Sequence, residues 1–245
     1  MRKLEKDETC VKREVIQMVT RGTFQQAGLL DGSADPLTSY EPKYILAYKK
    51  YGCNFGVCFF DTNTLKIYLG HFVEEDPSLV QSFRTLLSQL RPVEVISEKE
   101  LMNSSVIKMI KNSPVSPTVT HMPPAKCYST HKTKSELRVK YFAEKSESEW
   151  PEALRELLKE DEQGDGLADI SGADLAFQAL GMAMQFLEDA MIGERIISTG
   201  IYHRYLPETF SSDCGRMVLD SQALQHLEVV ESAAGHKEGS LLAFV

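Results

Sequence analysis

Residues 54–72 read NFGVCFFDTNTLKIYLGHF, and this run sets the architecture expected for the whole chain. Residues 54–61 are almost entirely apolar, which is typical of a strand that is buried on both faces. Residues 62–64 are short and polar and favour a turn, whereas residues 65–72 alternate as a half-buried strand does. Two strands joined by so short a turn pair in antiparallel fashion. The run therefore predicts a β-hairpin.

A helix is predicted after the hairpin. Asp76-Pro77-Ser78 is suited to a helix start, because Asp and Ser cap helices and Pro fits the first turn. The apolar residues that follow recur at the spacing of one helical face, and Pro92 ends the pattern. They are Leu79, Val80, Phe83, Leu86, Leu87 and Leu90. We expect this face, with Phe83 in its middle, to cover a sheet and to have no catalytic role.

The neighbouring segments complete an α/β pattern. A strand is predicted at 44–48, before the hairpin, and further strands at 93–97 and around 118–120 with a helix at 103–111 between them. An antiparallel hairpin followed by alternating helices and strands predicts a mixed sheet covered by helices. We therefore expect an α/β fold of RNase-H-like type.

The last third of the chain has a different pattern. Residues 163–166 contain two glycines and mark a predicted boundary. Beyond them, apolar residues recur at helical spacing over 172–198 and again over 217–233, with few strand formers. We therefore predict an all-α segment after the α/β domain. The predicted domains are residues 1–36, 37–165 and 166–245.

The bulk composition excludes several classes of protein. The 245 residues carry a net charge of −8, which argues against strong non-specific affinity for nucleic acid by the whole chain. No run of 18 apolar residues predicts a transmembrane helix, and the charged N-terminus does not look like a signal peptide. Five scattered cysteines are typical of reduced thiols inside a cell.

The sequence shows no motif for catalysis or for a metal. It contains neither the Gly-x-x-x-x-Gly-Lys-Ser/Thr phosphate loop nor the Gly-x-Ser-x-Gly nucleophile elbow. Structural zinc usually needs two tight pairs of Cys or His ligands. Cys53 with Cys58 fall short of that pattern, as do His121, Cys127 and His131. We therefore expect no catalytic, cofactor-binding or metal-binding residue in this chain.

Three acids deserve comparison with a two-metal nuclease site, because RNase-H-like sheets can carry one. Asp61 ends the second predicted strand, and Glu94 and Glu98 flank the fourth. The simpler interpretation is that Asp61 opens the turn at 62–64, where Asp is favoured, and that Glu94 points outward. We find no further acid placed to complete the cluster, so this interpretation is preferred.

Two groups of basic residues are the remaining candidates for a site. Lys12, Arg13 and Arg21 surround the first apolar segment and are candidates for contact with phosphates. A second group lies further along the chain, where it forms either a solvated helix face or a partner surface. It consists of Lys126, His131, Lys132, Lys134, Arg138 and Lys140.

Several strings resemble, in order, the DNA mismatch repair MutS family. The run from Val11 to Val15 with Val19-Thr20-Arg21-Gly22-Thr23 resembles the end of the mismatch-binding domain. Strings at 44–48, 55–61, 69–72, 83–87 and 91–95 resemble the connector domain, which is RNase-H-like. Strings at 201–207 and 217–220 resemble the start of the lever. Gly-Val-Cys-Phe and Phe-Arg-Thr-Leu are most similar to the eukaryotic MutS homologue six subunits.

The resemblance implies a function for the segment. Residues 1–36 would be the end of the mismatch-binding domain and a linker, 37–165 the connector, and 166–245 the start of the helical core. Such a segment would transmit changes of state between the DNA-binding and ATPase parts of a nuclear mismatch-recognition subunit. The full-length family is a DNA-dependent ATPase, which implies ATP, Mg²⁺, mismatched double-stranded DNA and a MutS homologue two partner.

The chain also departs from the family pattern. Ala223 and His226 stand where the family commonly carries Thr and Asn. Neither the Phe-x-Glu wedge nor the ATPase motifs occur in these residues, so no mismatch-reading or nucleotide-binding residue carries over. Two alternatives therefore stay open. One is an RNase-H-like metal-dependent nuclease, and the other is a truncated paralogue that acts as a protein-interaction module.

Overall fold

The computed structural model describes residues 18–23, 42–76, 80–99, 104–113, 116–162 and 170–207. It also describes the single positions 15, 223, 226–229, 232 and 241. The predicted helix at 217–233 falls almost wholly outside these residues, as do Lys12 and Arg13. No helix among the described residues has the length and apolar character to cross a membrane.

A six-stranded mixed sheet forms the centre of the molecule. The strands are β1 (Tyr44–Tyr51), β2 (Asn54–Asp61), β3 (Lys66–Val73), β4 (Glu94–Glu98), β5 (Thr118–Met122) and β6 (Ile201–Arg204). Their order is β5-β4-β1-β2-β3-β6. β2 is antiparallel to β1 and β3, whereas the β1–β4, β4–β5 and β3–β6 pairs are parallel. The predicted hairpin and mixed sheet are confirmed.

Two helices cover one face of the sheet. They are α1 (Gln81–Leu90) and α2 (Ser104–Lys111). Phe83, Leu86, Leu87 and Leu90 of α1 are buried, and they belong to one core with Leu46, Val57 and Phe59 of the strands. The prediction that the apolar face of this helix covers a sheet is confirmed, because that face packs against the strands.

The start of α1 differs from the prediction. The helix begins at Gln81 rather than near Asp76, because Val80 has a left-handed backbone with φ of 49°. The buried carboxylate of Glu74 accepts hydrogen bonds from the backbone N–H groups of Ser82 (3.1 Å) and Phe83 (2.7 Å). Glu74 therefore caps the helix, since the first N–H groups of a helix have no partner within it.

The other face carries the remaining helices and the larger core. These are α3 (Thr130–Glu136), which continues as a π-helical turn at Leu137–Tyr141, α4 (Glu152–Glu162), α5 (Gly172–Asp189) and α6 (Gly193–Thr199). α5 is apolar nearly all round, which is typical of a central buried helix. It lies across β1, β2 and β3.

The prediction of an all-α segment from residue 166 is not confirmed. β6 lies within that segment and pairs with β3, and the helical pattern of 172–198 divides at Met191, where φ is 62°. α5 also shares one core with strand residues such as Ile45, Cys58 and Leu69. The signal was missed because four residues are too short for a periodic pattern and their partner strand is distant in sequence.

Candidate functional site: a turn held by a buried carboxylate

Residues 20–23, Thr-Arg-Gly-Thr, form a tight turn that is seated against one end of the sheet. The backbone N–H of Thr20 donates to Oγ1 of Thr23 (2.7 Å), and the N–H of Thr23 donates to Oγ1 of Thr20 (3.2 Å). A Cβ atom on Gly22 would lie 2.4 Å from the Ile45 side chain. Only glycine lets the turn approach β1 this closely.

Glu94 joins this turn to the sheet. Its carboxylate is 2 % exposed and accepts one hydrogen bond from Oγ1 of Thr20 and another from Oγ1 of Thr120 on β5, each of 2.8 Å. A buried carboxylate is tolerated only when its oxygens have such donors. The expectation that Glu94 points outward is wrong, because β4 lies inside the sheet between β1 and β5 and both its faces are covered.

Three further hydrogen bonds attach the same stretch to other elements. Oγ1 of Thr62, after β2, donates to the Gly22 carbonyl (3.2 Å). The Met18 N–H donates to the carbonyl of Ala190 at the end of α5 (3.4 Å), and the Arg21 guanidinium donates to the Ser116 carbonyl (3.3 Å). Residues 18–23 therefore contact β1, β4, the loops beside β2 and β5, and the residue that ends α5.

The basic residues predicted near this turn have different outcomes. Arg21 is exposed and its guanidinium is used in the contact with Ser116. Lys12 and Arg13 lie outside the described residues. The proximity of these three side chains to DNA stays a prediction.

The three acids considered for nuclease chemistry are each committed elsewhere. Asp61 accepts from the Asn63 N–H (3.1 Å) and from Oγ1 of Thr64 (3.0 Å), which is the turn interpretation. Glu98 forms an ion pair with Lys49 at the opposite end of β4 from Glu94. Among the described residues, no group of three His, Cys, Asp or Glu side chains is placed to hold a metal ion.

The second basic group is paired with acids of α4 and α5 and with Glu147, which precedes α4. Lys126 contacts Asp189 (2.7 Å), Lys140 contacts Glu188 (2.6 Å), Lys134 contacts Asp161, and Arg138 contacts Glu147. The Lys132 ammonium lies 3.9 Å from the centre of the Tyr128 ring. Four of these cations already have carboxylate partners, so the group joins neighbouring helical segments. Its electrostatic attraction for phosphates is reduced for the same reason.

Glu188 is the centre of this helix-joining network. Besides Lys140, it accepts hydrogen bonds from the phenols of Tyr141 (2.6 Å) and Tyr128 (3.4 Å). Burial by itself would raise the pKa of Glu188, but the hydrogen bonds from Lys140 and Tyr141 and the Lys140 charge lower it overall. Burial first, and then the Glu188 charge, raises the pKa of Tyr128 to about 12.

We expect the ionisation of Glu188 to make the free energy of unfolding depend on pH in the acid range. A carboxyl group whose pKa is lowered by folding contributes fully above its unfolded value, taken as 4.5, and the contribution is lost as pH falls through the lower folded value. Chemical denaturation should therefore show that Glu188→Gln is less stable than the parent at neutral pH. The difference in the free energy of unfolding between the two should narrow as the pH falls below 4.5. The exposed Glu156→Gln is the control, and a gap independent of pH would contradict the assignment.

The role of Glu94 with Thr20 and Thr120 was not predicted from the sequence. One signal was present: an acid within the apolar run Val93-Glu94-Val95-Ile96 of an inner strand has to be buried with donors. The donors themselves were not predictable, because Thr20 is 74 residues from Glu94 and Thr120 is 26 residues away.

Comparison with known proteins identifies relatives of this chain. The family model of MutS domain II matches residues 43–195. The chain is 30 % identical to the DNA mismatch repair protein Msh6 of Gallus gallus, over 97 % of the chain and 19 % of that protein. It is 29 % identical to Msh6 of Homo sapiens (99 % and 19 %) and 30 % identical to MSH6 of Arabidopsis thaliana (95 % and 18 %). The chain spans about a fifth of the length of these curated relatives.

Proposed function

The chain belongs to the MutS family of DNA mismatch repair proteins, and we propose that it transmits changes of state between the DNA-binding and ATPase parts of a mismatch-recognition subunit. Transmission of this kind needs a rigid body that is firmly attached to the segments on either side. The family match covers β1 to β5 and α1 to α5, which form such a body together with β6.

One observation carries the proposal: the Thr20–Glu94–Thr120 hydrogen bonds. They tie the segment that precedes the connector, by family resemblance the end of the mismatch-binding domain, to the two strands β4 and β5. A displacement of that segment therefore has to move the sheet or break the contacts of a buried carboxylate. Breaking them would leave the charge without donors, which is costly in a water-excluded site.

The activities of the whole protein follow as proposals from the family. The subunit would bind mismatched double-stranded DNA together with a MutS homologue two partner, and it would act in the nucleus. ATP and Mg²⁺ would bind in an ATPase part, because the 245-residue sequence contains no phosphate-loop motif. Lys12, Arg13 and Arg21 would lie near the DNA.

The nuclease alternative has less support. Asp61 completes a turn, Glu94 accepts hydrogen bonds from two threonine hydroxyls, and Glu98 is paired with a lysine. Carboxylates of a two-metal site must instead converge on a common point that the ions can reach. The described residues offer no such convergence.

Two matched threonine variants test the proposal. Thr20→Val and Thr120→Val each delete one 2.8 Å hydrogen bond to Glu94, but only the first, which also removes the acceptor of the Thr23 N–H, loosens the preceding segment. In the complete mismatch-recognition protein that carries this segment, with its partner, we expect Thr20→Val to reduce mismatch-stimulated ATP turnover by roughly two- to thirty-fold. Basal ATP turnover and mismatch affinity should change little, and Thr120→Val should keep most of the stimulation.

The outcomes separate the possible roles. Equal losses in both variants would mean that the Glu94 site only stabilises the fold, and the proposal would be abandoned. Unchanged stimulation in both would place the coupling elsewhere. If the protein captures its partner subunit without DNA and neither variant alters ATP turnover, the interaction-module alternative replaces the present one.

A further inference from the structure

The chain leaves the sheet along β6, at the edge opposite β5. The Ile201 N–H donates to the Leu65 carbonyl (2.8 Å), and the Tyr205 N–H donates to the Leu69 carbonyl (2.6 Å). A Cβ atom on Gly70 would lie 2.2 Å from the Tyr205 carbonyl oxygen. The outgoing backbone therefore lies directly against β3, and an alanine at Gly70 would push it away.

Side chains fix this backbone on both faces of the sheet. Tyr202 is buried on the α5 face, where its phenol donates to the Ile197 carbonyl (2.7 Å). Tyr205 is buried on the α1 face against the rings of Phe59 and Phe72. The outgoing strand is thus anchored above and below by aromatic side chains.

A charged contact adds a third attachment from α4. The Arg204 guanidinium donates to the Glu160 carboxylate (2.5 Å), and Nε2 of His71 on β3 lies 3.1 Å from the same oxygen. The side chain of Arg204 is only 13 % exposed, although that of Glu160 is 45 % exposed. Burial would raise the pKa of Glu160, but the bonds from His71 and Arg204 lower it. One carboxylate therefore links α4, β3 and β6.

From this geometry we propose that Glu160 and Arg204 are positioning residues that clamp the outgoing chain to the sheet, as a counterpart of the contact that Glu94 makes with the incoming turn. This inference rests on the proposed function, since a transmitting body must hold both of its connections. The two contacts lie at different edges, with β1, β2 and β3 between them. A displacement of the incoming turn then reaches the outgoing strand through the hydrogen bonds between the strands of the sheet.

The next residue along α4 provides a matched control. Asp161 forms an ion pair with Lys134 of α3 and accepts a hydrogen bond from Oγ of Ser171 (3.4 Å). Its carboxylate therefore joins helices to each other and makes no contact with β6. Loss of either carboxylate removes one charge at the same end of α4, but only the loss of Glu160 releases Arg204.

Hydrogen exchange on the 245-residue chain tests the clamp. We expect Glu160→Gln to speed exchange of the Ile201 and Tyr205 amides by roughly two- to five-fold, the range for a partly exposed ion pair. Amides shared by β1 and β2 should keep their rates, and Asp161→Asn should leave Ile201 and Tyr205 unchanged. The charge-exchanged double variant Glu160→Arg with Arg204→Glu should restore slower exchange than Glu160→Arg alone.

Other results would overturn the clamp. They are an equal acceleration in every strand, the same effect from Asp161→Asn, or no effect from Glu160→Gln. The exchange measurement needs neither DNA nor ATP, so its failure is distinguishable from failure of the threonine variants. In the complete protein, Glu160→Gln should also reduce mismatch-stimulated ATP turnover more than Asp161→Asn, which a purely stabilising contact would not do.

Discussion

Replacement of Phe83 by Ala should lower the free energy of unfolding by about 3–5 kcal/mol, the cost of truncating a fully buried aromatic side chain. The ring is 0 % exposed and packs against Tyr48 at 5.0 Å and Phe55 at 5.2 Å between ring centres. Its backbone N–H donates to the Glu74 carboxylate, and this hydrogen bond fixes the position of the Phe83 backbone. The site cannot easily collapse, because its neighbours belong to the sheet.

Chemical denaturation of the purified chain measures this effect. Val139→Ala is a suitable control because it removes apolar atoms from a helical position that is 73 % exposed. Its cost should fall within the roughly 0.5 kcal/mol usual for surface changes. A loss below about 1 kcal/mol for Phe83→Ala would refute the assignment of Phe83 to the core that α1 forms with the sheet.

Gly56→Ala should cost about 3 kcal/mol, at the upper end of the range for overpacked cores. A Cβ atom there would lie 2.1 Å from the Leu175 carbonyl carbon and 2.3 Å from its oxygen. Both are backbone atoms of α5, so a change of rotamer cannot relieve the clash. The whole helix would have to move away from β2, and its apolar contacts with three strands would loosen.

Gly52→Ala separates this steric effect from backbone strain. Gly52 lies in the turn between β1 and β2 and has a φ of 59°, and a Cβ atom there would meet nothing within 4 Å. The substitution therefore costs only backbone strain, about 1–2 kcal/mol. Hydrogen exchange should show faster opening of α5 and β2 in Gly56→Ala only. A neutral Gly56→Ala variant would mean that α5 does not approach β2 this closely and does not share the core of the sheet.

The helix-on-sheet contact at Gly56 marks the main limit of prediction from the sequence. The apolar spacing of 172–198 indicated helical structure correctly, although the stretch forms two helices, but it did not indicate what the helices pack against. Of these, α5 was predicted to belong with the residues after 166, whereas it packs on β1, β2 and β3, the first of which begins 128 residues before the helix does. Periodicity records which face of an element is apolar, and it contains no information on the partner.

The sites show the same division. The acids at 61, 94 and 98 were found by residue type, and the turn role of Asp61 was predicted because its partners, Asn63 and Thr64, are adjacent in sequence. The role of Glu94 depends on two hydroxyls brought from distant positions, and the predicted outward orientation was wrong. The pairing of the second basic group with Asp189, Glu188 and Asp161 could likewise not be predicted from the sequence, because the partners are distant along the chain.

The sequence by itself determined the hairpin, the apolar face of α1, the mixed sheet and the family, because each is written in local periodicity, turn chemistry or ordered motifs. Only the tertiary structure decided that α5 packs on the sheet, that β6 extends the sheet beside β3, and that Glu94 and Glu160 hold the incoming and outgoing segments. The physical reason is that a buried charge must find its donors wherever the folded chain places them. Those donors are set by the packing of elements that are remote in the sequence.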